Sequence, residues 1–189
     1  MSIIGPATLQ VWVGDMVVCI KIAGRASFHC SVDFKTLVTT LWQQGQTRFI
    51  LDLSDCQLMD STFLGVMAGL GIKLNAERNG NGQASLELWH ASSRVADLIE
   101  NLGISHLFKT VSAPSAPATA DCNRVDPAGL PTGTPADKNE ISRTCLEAHR
   151  LLMELNPNNV PKFKDVTRFL EEDLKRQGGS NPAPGRGTG

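Results

Sequence analysis

Residues Leu51 to Leu70 read LDLSDCQLMDSTFLGVMAGL. The run Thr47–Leu53 (TRFILDL) is apolar with polar ends, the pattern of a buried strand. The chain leaves that strand through Asp55-Cys56-Gln57, expected as a loop. Met59-Asp60-Ser61-Thr62 then meets a helix expected from Ser61 to about Glu77. Asp60 or Ser61 can accept the backbone N–H groups that a first helical turn leaves without a carbonyl. The plain reading of this pair is therefore a helix cap. A functional reading is a phosphoacceptor hydroxyl, because the N–H groups and dipole of a helix start favour a phosphate dianion. Gly65, Ala68 and Gly69 are small residues at helical spacing, expected to let this helix sit close to the sheet.

The neighbouring segments supply the other elements. Leu9–Val13 alternates with period two, and Gly14-Asp15 is expected to give the positive φ of a tight hairpin turn. Met16–Ile22 (MVVCIKI) is the return strand and Gly24–Phe28 a loop. From Ser31 to Gln44, Phe34, Leu37, Val38 and Leu41 fall on one helical face, with Gly45 as the stop. Asn79-Gly80-Asn81-Gly82 makes a turn and Ala84–Trp89 a strand. Ser92 or Ser93 caps a third helix ended at Gly103, and Leu107–Val111 is a last short strand. The order β-β-α-β-α-β-α-β predicts an α/β fold: a small mixed sheet, built as a hairpin followed by parallel βα crossovers and packed with helices.

Composition divides the chain. Residues 1–111 carry the alternating elements. Residues 112–136 (SAPSAPATADCNRVDPAGLPTGTPA) hold five prolines and almost no large apolar groups, the make-up of a disordered linker. Residues 137–177 form an amphipathic helical pair, and 178–189 (GGSNPAPGRGTG) a disordered tail. The pair begins at an Asp137/Glu140 capping box. Its stripes are Ile141, Cys145, Ala148, Leu152 and Leu155, then Phe163, Val166, Phe169, Leu170 and Leu174, with Asn156-Pro157 between them. Two short helices bury little on their own. The stripes need cover from the first domain, a second copy in a homo-oligomer, or another protein for which they act as scaffold.

Several function classes are excluded. Lys+Arg number 18 against 19 Asp+Glu, and aromatics are 5%, so the chain has neither the basic field nor the stacking platform of a nucleic-acid binder. No apolar run approaches the ~20 residues of a membrane span, and Met1–Pro6 does not read as a leader, so no membrane insertion and a cytoplasmic location are expected. Five widely spaced cysteines without C-x-x-C fit a reducing compartment and no zinc module. Tyrosine is absent, leaving Ser, Thr or His to carry any phosphate. His29-Cys30 lacks an orienting third residue, and His90, His106 and His149 have no metal spacing. Ser61 lacks a Gly-x-Ser-x-Gly elbow, since Met59 and Phe63 flank it, and no P-loop or dinucleotide fingerprint occurs. No cofactor, no metal and no enzymatic activity are expected.

The run Asp52-Leu53-Ser54 … Met59-Asp60-Ser61-Thr62-Phe63-Leu64-Gly65 resembles the signature of STAS domains of the anti-sigma factor antagonist type. In that family a strand ending in Asp-Leu-Ser is followed by Met-Asp-Ser-Ser/Thr-Gly-Leu-Gly opening a helix. The similarity extends to the order of elements over about residues 7–111. The resemblance implies a STAS-like fold and a non-enzymatic phosphoprotein of signalling and transcription regulation. Its phosphorylation site would be Ser61, its partner an anti-sigma factor with serine-kinase-like activity, and a phosphatase would reverse the mark. Partner-binding residues would be Asp60, Thr62 and Phe63, with Arg25 and Ser27 of the loop Gly24-Arg25-Ala26-Ser27. Two departures stand out. Phe63 replaces the family's Gly, and either fills that space or anchors in a partner pocket. Arg25-Ala26-Ser27 lacks the acidic pair of the family's Gly-Glu-Leu-Asp. The alternative is a STAS assembly module, a signalling scaffold or transporter accessory subunit, that works by protein-protein interaction without phospho-switching.

The compositional boundary predicts that limited proteolysis cuts first between Ser112 and Ala136. Early cleavage inside residues 30–100, read by mass spectrometry, would contradict it.

Overall fold

The computed structural model describes residues 7–78, 85–112, 119, 122–126 and 136–178. Strands β1 (Thr8–Val13) and β2 (Val17–Ala26) form the antiparallel hairpin, with Val13 opposite Val18 and Thr8 opposite Ala23. Gly14 N–H closes its turn on the Val17 carbonyl at 2.8 Å. The turn forms without a positive φ at Gly14 or Asp15, contrary to expectation. Helix α1 (Phe28–Gln43) buries Phe34, Leu37, Val38 and Leu41, the face read from its periodicity. It starts at Phe28, three residues before the expected start, because β2 runs unbroken to Ala26 and leaves no loop.

Strand β3 (Arg48–Asp52) pairs parallel with the first half of β2. The expected loop after it contains a further strand, β4 (Cys56–Met59), which pairs parallel with the last residues of β2. Ten residues long, β2 has room for two partners on the same edge. Helix α2 (Ser61–Arg78) follows, then β5 (Ser85–Trp89), α3 (Ser93–Asn101), a 3-10 turn at Ser105–Leu107, and β6 (Lys109–Val111). Ser92 caps α3 by accepting from Val95 N–H, and Gly103 ends it at φ +74°. The path through the described sheet is β6-β5-β3-β2-β1-β7, where β7 is Asn123–Val125, with β4 beside β2. The hairpin and parallel crossovers of the sequence reading are present.

Strand β7 (Asn123–Val125) lies inside the stretch expected as a linker and pairs antiparallel with β1. Arg124 sits over the Trp12 ring, 5.9 Å from its centre. A Pro-rich composition hid three residues, NRV, that complete an otherwise open sheet edge. The expected tail from 178 lies outside the described residues, apart from Gly178 at the end of α5.

Helices α4 (Lys138–Leu155) and α5 (Val160–Gly178) form the expected pair, with Asp137 accepting from Glu140 N–H at 2.7 Å. The pair packs on the first domain. Ala148 and Leu152 join the common core, and α4 lies along α2. Gly65 faces Ala148, and Gly69 faces Leu151. Gly65 and Gly69 of α2 therefore admit α4, not the sheet. Asn159 is buried at the corner between α4 and α5, where its amide donates to the carbonyls of Leu102 and Leu152, each at 2.9 Å. Lys35 of α1 pairs with Glu147 of α4 at 2.8 Å. Part of the α5 stripe stays outside: Val166 is exposed and Phe169 is 61% exposed.

A Cβ on Gly65 would stand 2.7 Å from both the Cβ and the carbonyl oxygen of Ala148, whereas one on Gly69 would meet Leu151 Cδ2 at an ordinary 3.4 Å. Both Gly→Ala changes gain about 1 kcal/mol of helix propensity. Overpacking against backbone costs about 1–3 kcal/mol. Gly69→Ala should hold or raise the melting temperature. Gly65→Ala should melt lower than Gly69→Ala, at about 2–4 °C per kcal/mol for a chain of this size. Equal melting of the two variants would refute the α2–α4 contact.

Candidate functional site

The strand-to-helix passage of residues 52–65 is held by short side chains acting on backbone. Asp52 Oδ1 accepts from Ser54 N–H and lies 3.0 Å from His90 Nδ1, closing the turn after β3. Burial works to raise the Asp52 pKa, but these hydrogen bonds outweigh it and hold the carboxyl below its ordinary value. Leu53 N–H reaches Trp89 O, and Asp60 N–H reaches Ala26 O, so the passage is tied to β5 on one side and β2 on the other. The start of α2 thereby lands beside the start of α1.

Asp60 is the cap. Its Oδ1 accepts from Phe63 N–H at 2.9 Å, its backbone carbonyl accepts from Leu64 N–H, and its Oδ2 accepts from Phe28 N–H at 2.8 Å. One carboxylate thus serves the first turns of two helices. Ser61, the first residue of α2, takes no part in capping. Its Oγ is half-buried and lies 2.8 Å from Nε2 of His149 on α4.

In the sequence alone His149 has no ligand spacing and Cys145 belongs to an apolar helical stripe. Both are placed here by α4. The Thr62 hydroxyl donates to Cys145 Sγ at 3.5 Å. The His149 ring is 6% exposed and stacks on Phe163 of α5 with centroids 4.7 Å apart. Its Nδ1 is buried without a well-formed hydrogen bond. Burial lowers the His149 pKa below its ordinary value, against the opposing influence of the Asp60 charge and the Cys145 backbone one turn back. Burial therefore disfavours the charged imidazolium. A visible signal existed: Cys145 and His149 are polar residues four apart, along the edge of an otherwise apolar stripe.

The other expected site residues divide. Phe63 is fully buried, its ring 4.7 Å from Phe34, so it fills the space left by the family's Gly and is not a partner anchor. Thr62 is 4% exposed and faces α4. Ser27 is buried at the head of α1, its carbonyl accepting from the side chains of Ser31 and Cys30. Thr62 and Ser27 are therefore turned away from any partner in this arrangement, because the helix starts to which they belong pack inward. Arg25 is exposed and Asp60 half-exposed on the same rim.

Chemically, Ser61 and His149 match two members of a nucleophile-base-acid set, but His149 Nδ1 meets no acid. The nearby cavity of about 150 Å³ is lined by Lys35, Val66, Leu70, Lys73 and Leu151 further along α2, and Ser61 is not part of it. Cys30 bonds locally with Ser27, and burial raises the pKa values of Cys30, Cys56 and Cys145. Among the described residues no three His, Cys, Asp or Glu side chains gather as a metal site requires, and no helix is long and apolar enough to cross a membrane.

The lowered His149 pKa has a definite sign in stability. Docked His149 binds a proton less readily than free His149, so acid favours the open or unfolded chain. Its contribution is whole above about pH 6.5, the ordinary histidine value, and is lost as pH falls from there toward the lowered value, with a slope of up to ~1.4 kcal/mol per pH unit. Denaturant titrations between about pH 5 and 7 should show this slope in the native protein and a flatter one in His149→Gln. Identical slopes would show that docking does not bury this ring.

Curated proteins gave no significant match. Among solved structures, the anti-sigma factor antagonist SpoIIAA in its unphosphorylated form is 20% identical, with a TM-score of 0.48 over 56% of this chain and 89% of its own. The Bacillus cell fate determinant SpoIIAA in the phosphorylated form is 18% identical, with a TM-score of 0.45 over 56% of this chain and 92% of its own. TM1081, from Thermotoga maritima, is 18% identical, with a TM-score of 0.48 over 55% and 79%. The STAS domain family matches residues 9–115, more than half of the sequence and all elements from β1 to β6. The chain belongs to the STAS-domain family.

Proposed function

We propose that this protein is a non-enzymatic regulator of the anti-sigma factor antagonist type, cytoplasmic, switched by reversible phosphorylation of Ser61. Its partner is a serine-kinase-like anti-sigma factor and its mark is removed by a phosphatase. The observation that carries this reading is the division of labour at the start of α2. Asp60 takes the capping role, so the Ser61 hydroxyl is not spent on the helix start and bonds His149 instead. Thr62, the neighbouring hydroxyl, is buried. Phosphoryl transfer replaces the Ser61 O–H bond with an O–P bond: the γ-phosphoryl of ATP moves to Oγ, ADP leaves, and the proton passes to a base of the kinase. The first-turn N–H groups of α2 favour the resulting charge.

The binding face in this reading is the rim of Arg25, Asp60 and Ser61. A partner closing on that rim must desolvate the phosphate or set its own acids against it, which costs several kcal/mol in a buried interface. One observation favours the assembly-module reading instead: α4 covers Ser61 with His149. Without modification, the α4–α5 pair would then be a fixed part of a scaffold.

Phosphopeptide mapping of the protein isolated beside its cognate kinase should place the phosphate on Ser61. Titration against that kinase should show at least a tenfold loss of affinity on phosphorylation, about 1.4 kcal/mol or more. Ser61→Ala should keep binding and lose regulation. Phosphate found mainly on Thr62, or none on either residue, would overturn the switch and leave the assembly module.

A further inference from the structure

The Ser61–His149 contact joins the first domain to a helix that the STAS match, residues 9–115, does not include. Resting on the phosphoacceptor reading above, we propose that the α4–α5 pair is a built-in competitor for the surface around Ser61, and that a phosphate on Ser61 and the docked pair exclude each other.

The geometry gives two routes, and both weaken docking. Ser61 Oγ and His149 Nε2 are 2.8 Å apart, hydrogen-bond distance with no room for a phosphorus atom and its oxygens between them. A phosphate kept in the present side-chain direction pushes α4 away. A phosphate rotated out toward solvent takes the hydroxyl's bond from Nε2, and Nδ1 already has no well-formed partner. The buried His149 ring then loses the Ser61 hydroxyl as a donor and keeps only the poorly formed contact to the Cys145 backbone, an arrangement that opposes docking. A proton on the ring would be favoured by Asp60 and by the phosphate charge, and burial opposes it. Phe163 stacks on the ring, and no acid meets Nδ1. Asp60 faces it from α2, Cys145 and Arg150 flank it on its own helix, and Arg150 is committed to Glu171. Asp60 also repels the phosphate that would share its rim.

The fit of α4 on α2 is tight enough to carry the effect. Gly65 meets the Ala148 backbone so closely that a single methyl has no space, and Leu152, one turn on, is fully buried. Closely packed helices shift as units and do not yield atom by atom. The Thr62–Cys145 contact lies in the same seam, so the Cys145 thiol reports whether the seam is open.

The test uses the full chain with phosphoserine placed at position 61 during translation, and compares it with the unmodified chain. Hydrogen exchange is followed by mass spectrometry, and N-ethylmaleimide labelling of Cys145 is mapped by peptide. The expected result is at least tenfold faster exchange across residues 138–155 and at least tenfold faster labelling of Cys145. Exchange in 93–101 and 48–52 should stay unchanged. Ala148→Arg, with Ser61 unmodified, should open the seam to the same degree. Unchanged labelling and exchange in the phosphorylated chain would overturn the inference, since the phosphate would then be housed beneath the helix. Loss of protection throughout the first domain would overturn it as well, as unfolding rather than release. Because the phosphate is installed directly, this result does not depend on a kinase. A protein never phosphorylated in its cell would refute the function proposed above and leave this coupling standing.

Discussion

The carboxylate of Asp60 accepts one N–H from each of two helices, Phe28 at the head of α1 and Phe63 in the first turn of α2. Helix starts present like partial charges and do not meet without something negative between them. The oxygen pair of Asp60 supplies it. The delivery of that residue follows from β2, whose last residues hold β4 and accept Asp60 N–H at Ala26. With the two helix heads joined, the groove between α1 and α2 is fixed, and α4 has a place to lie. The position of Ser61 at the mouth of that groove is a consequence of how the first domain closes.

Much of this was open to a reader of residues. The α1 face, the hairpin, the α3 cap and the helical pair follow period and punctuation, and the DLS…MDST run marks the site. Other features were hidden for physical reasons. Nothing local separates a Phe63 that fills a core from one that waits for a partner. The answer depends on Phe34, brought there by another helix. Gly65 and Gly69 read locally as a close-packing surface for the sheet, because the true neighbour lies about eighty residues away. The sequence of α2 did carry a hint: FLGVMAGLGIKL is apolar all round, which marks a helix covered on both sides. Taken with the unpartnered stripes of residues 138–174, that hint joins the two parts of the chain.

His149 was passed over because a lone histidine without ligand spacing has no chemistry of its own. Its meaning comes only from the burial that α4 imposes and the hydroxyl it meets. The strand NRV shows the converse error. Its flanking prolines set the expectation for the whole stretch, while three residues with one cation and one β-branched side chain were enough to extend a sheet.

Strand β7 also sets the length of the tether. With Val125 pinned to Val11 and Asp137 capping α4, only residues 126–136 join a fixed sheet edge to the docked pair. A helix pair displaced in the way proposed above would stay joined to that edge through those residues and be diluted very little. Short tethers correspond to effective concentrations of about the millimolar range. Any protein that binds the same groove from solution therefore competes against that local concentration, and its apparent affinity falls by the fraction of time the groove is empty.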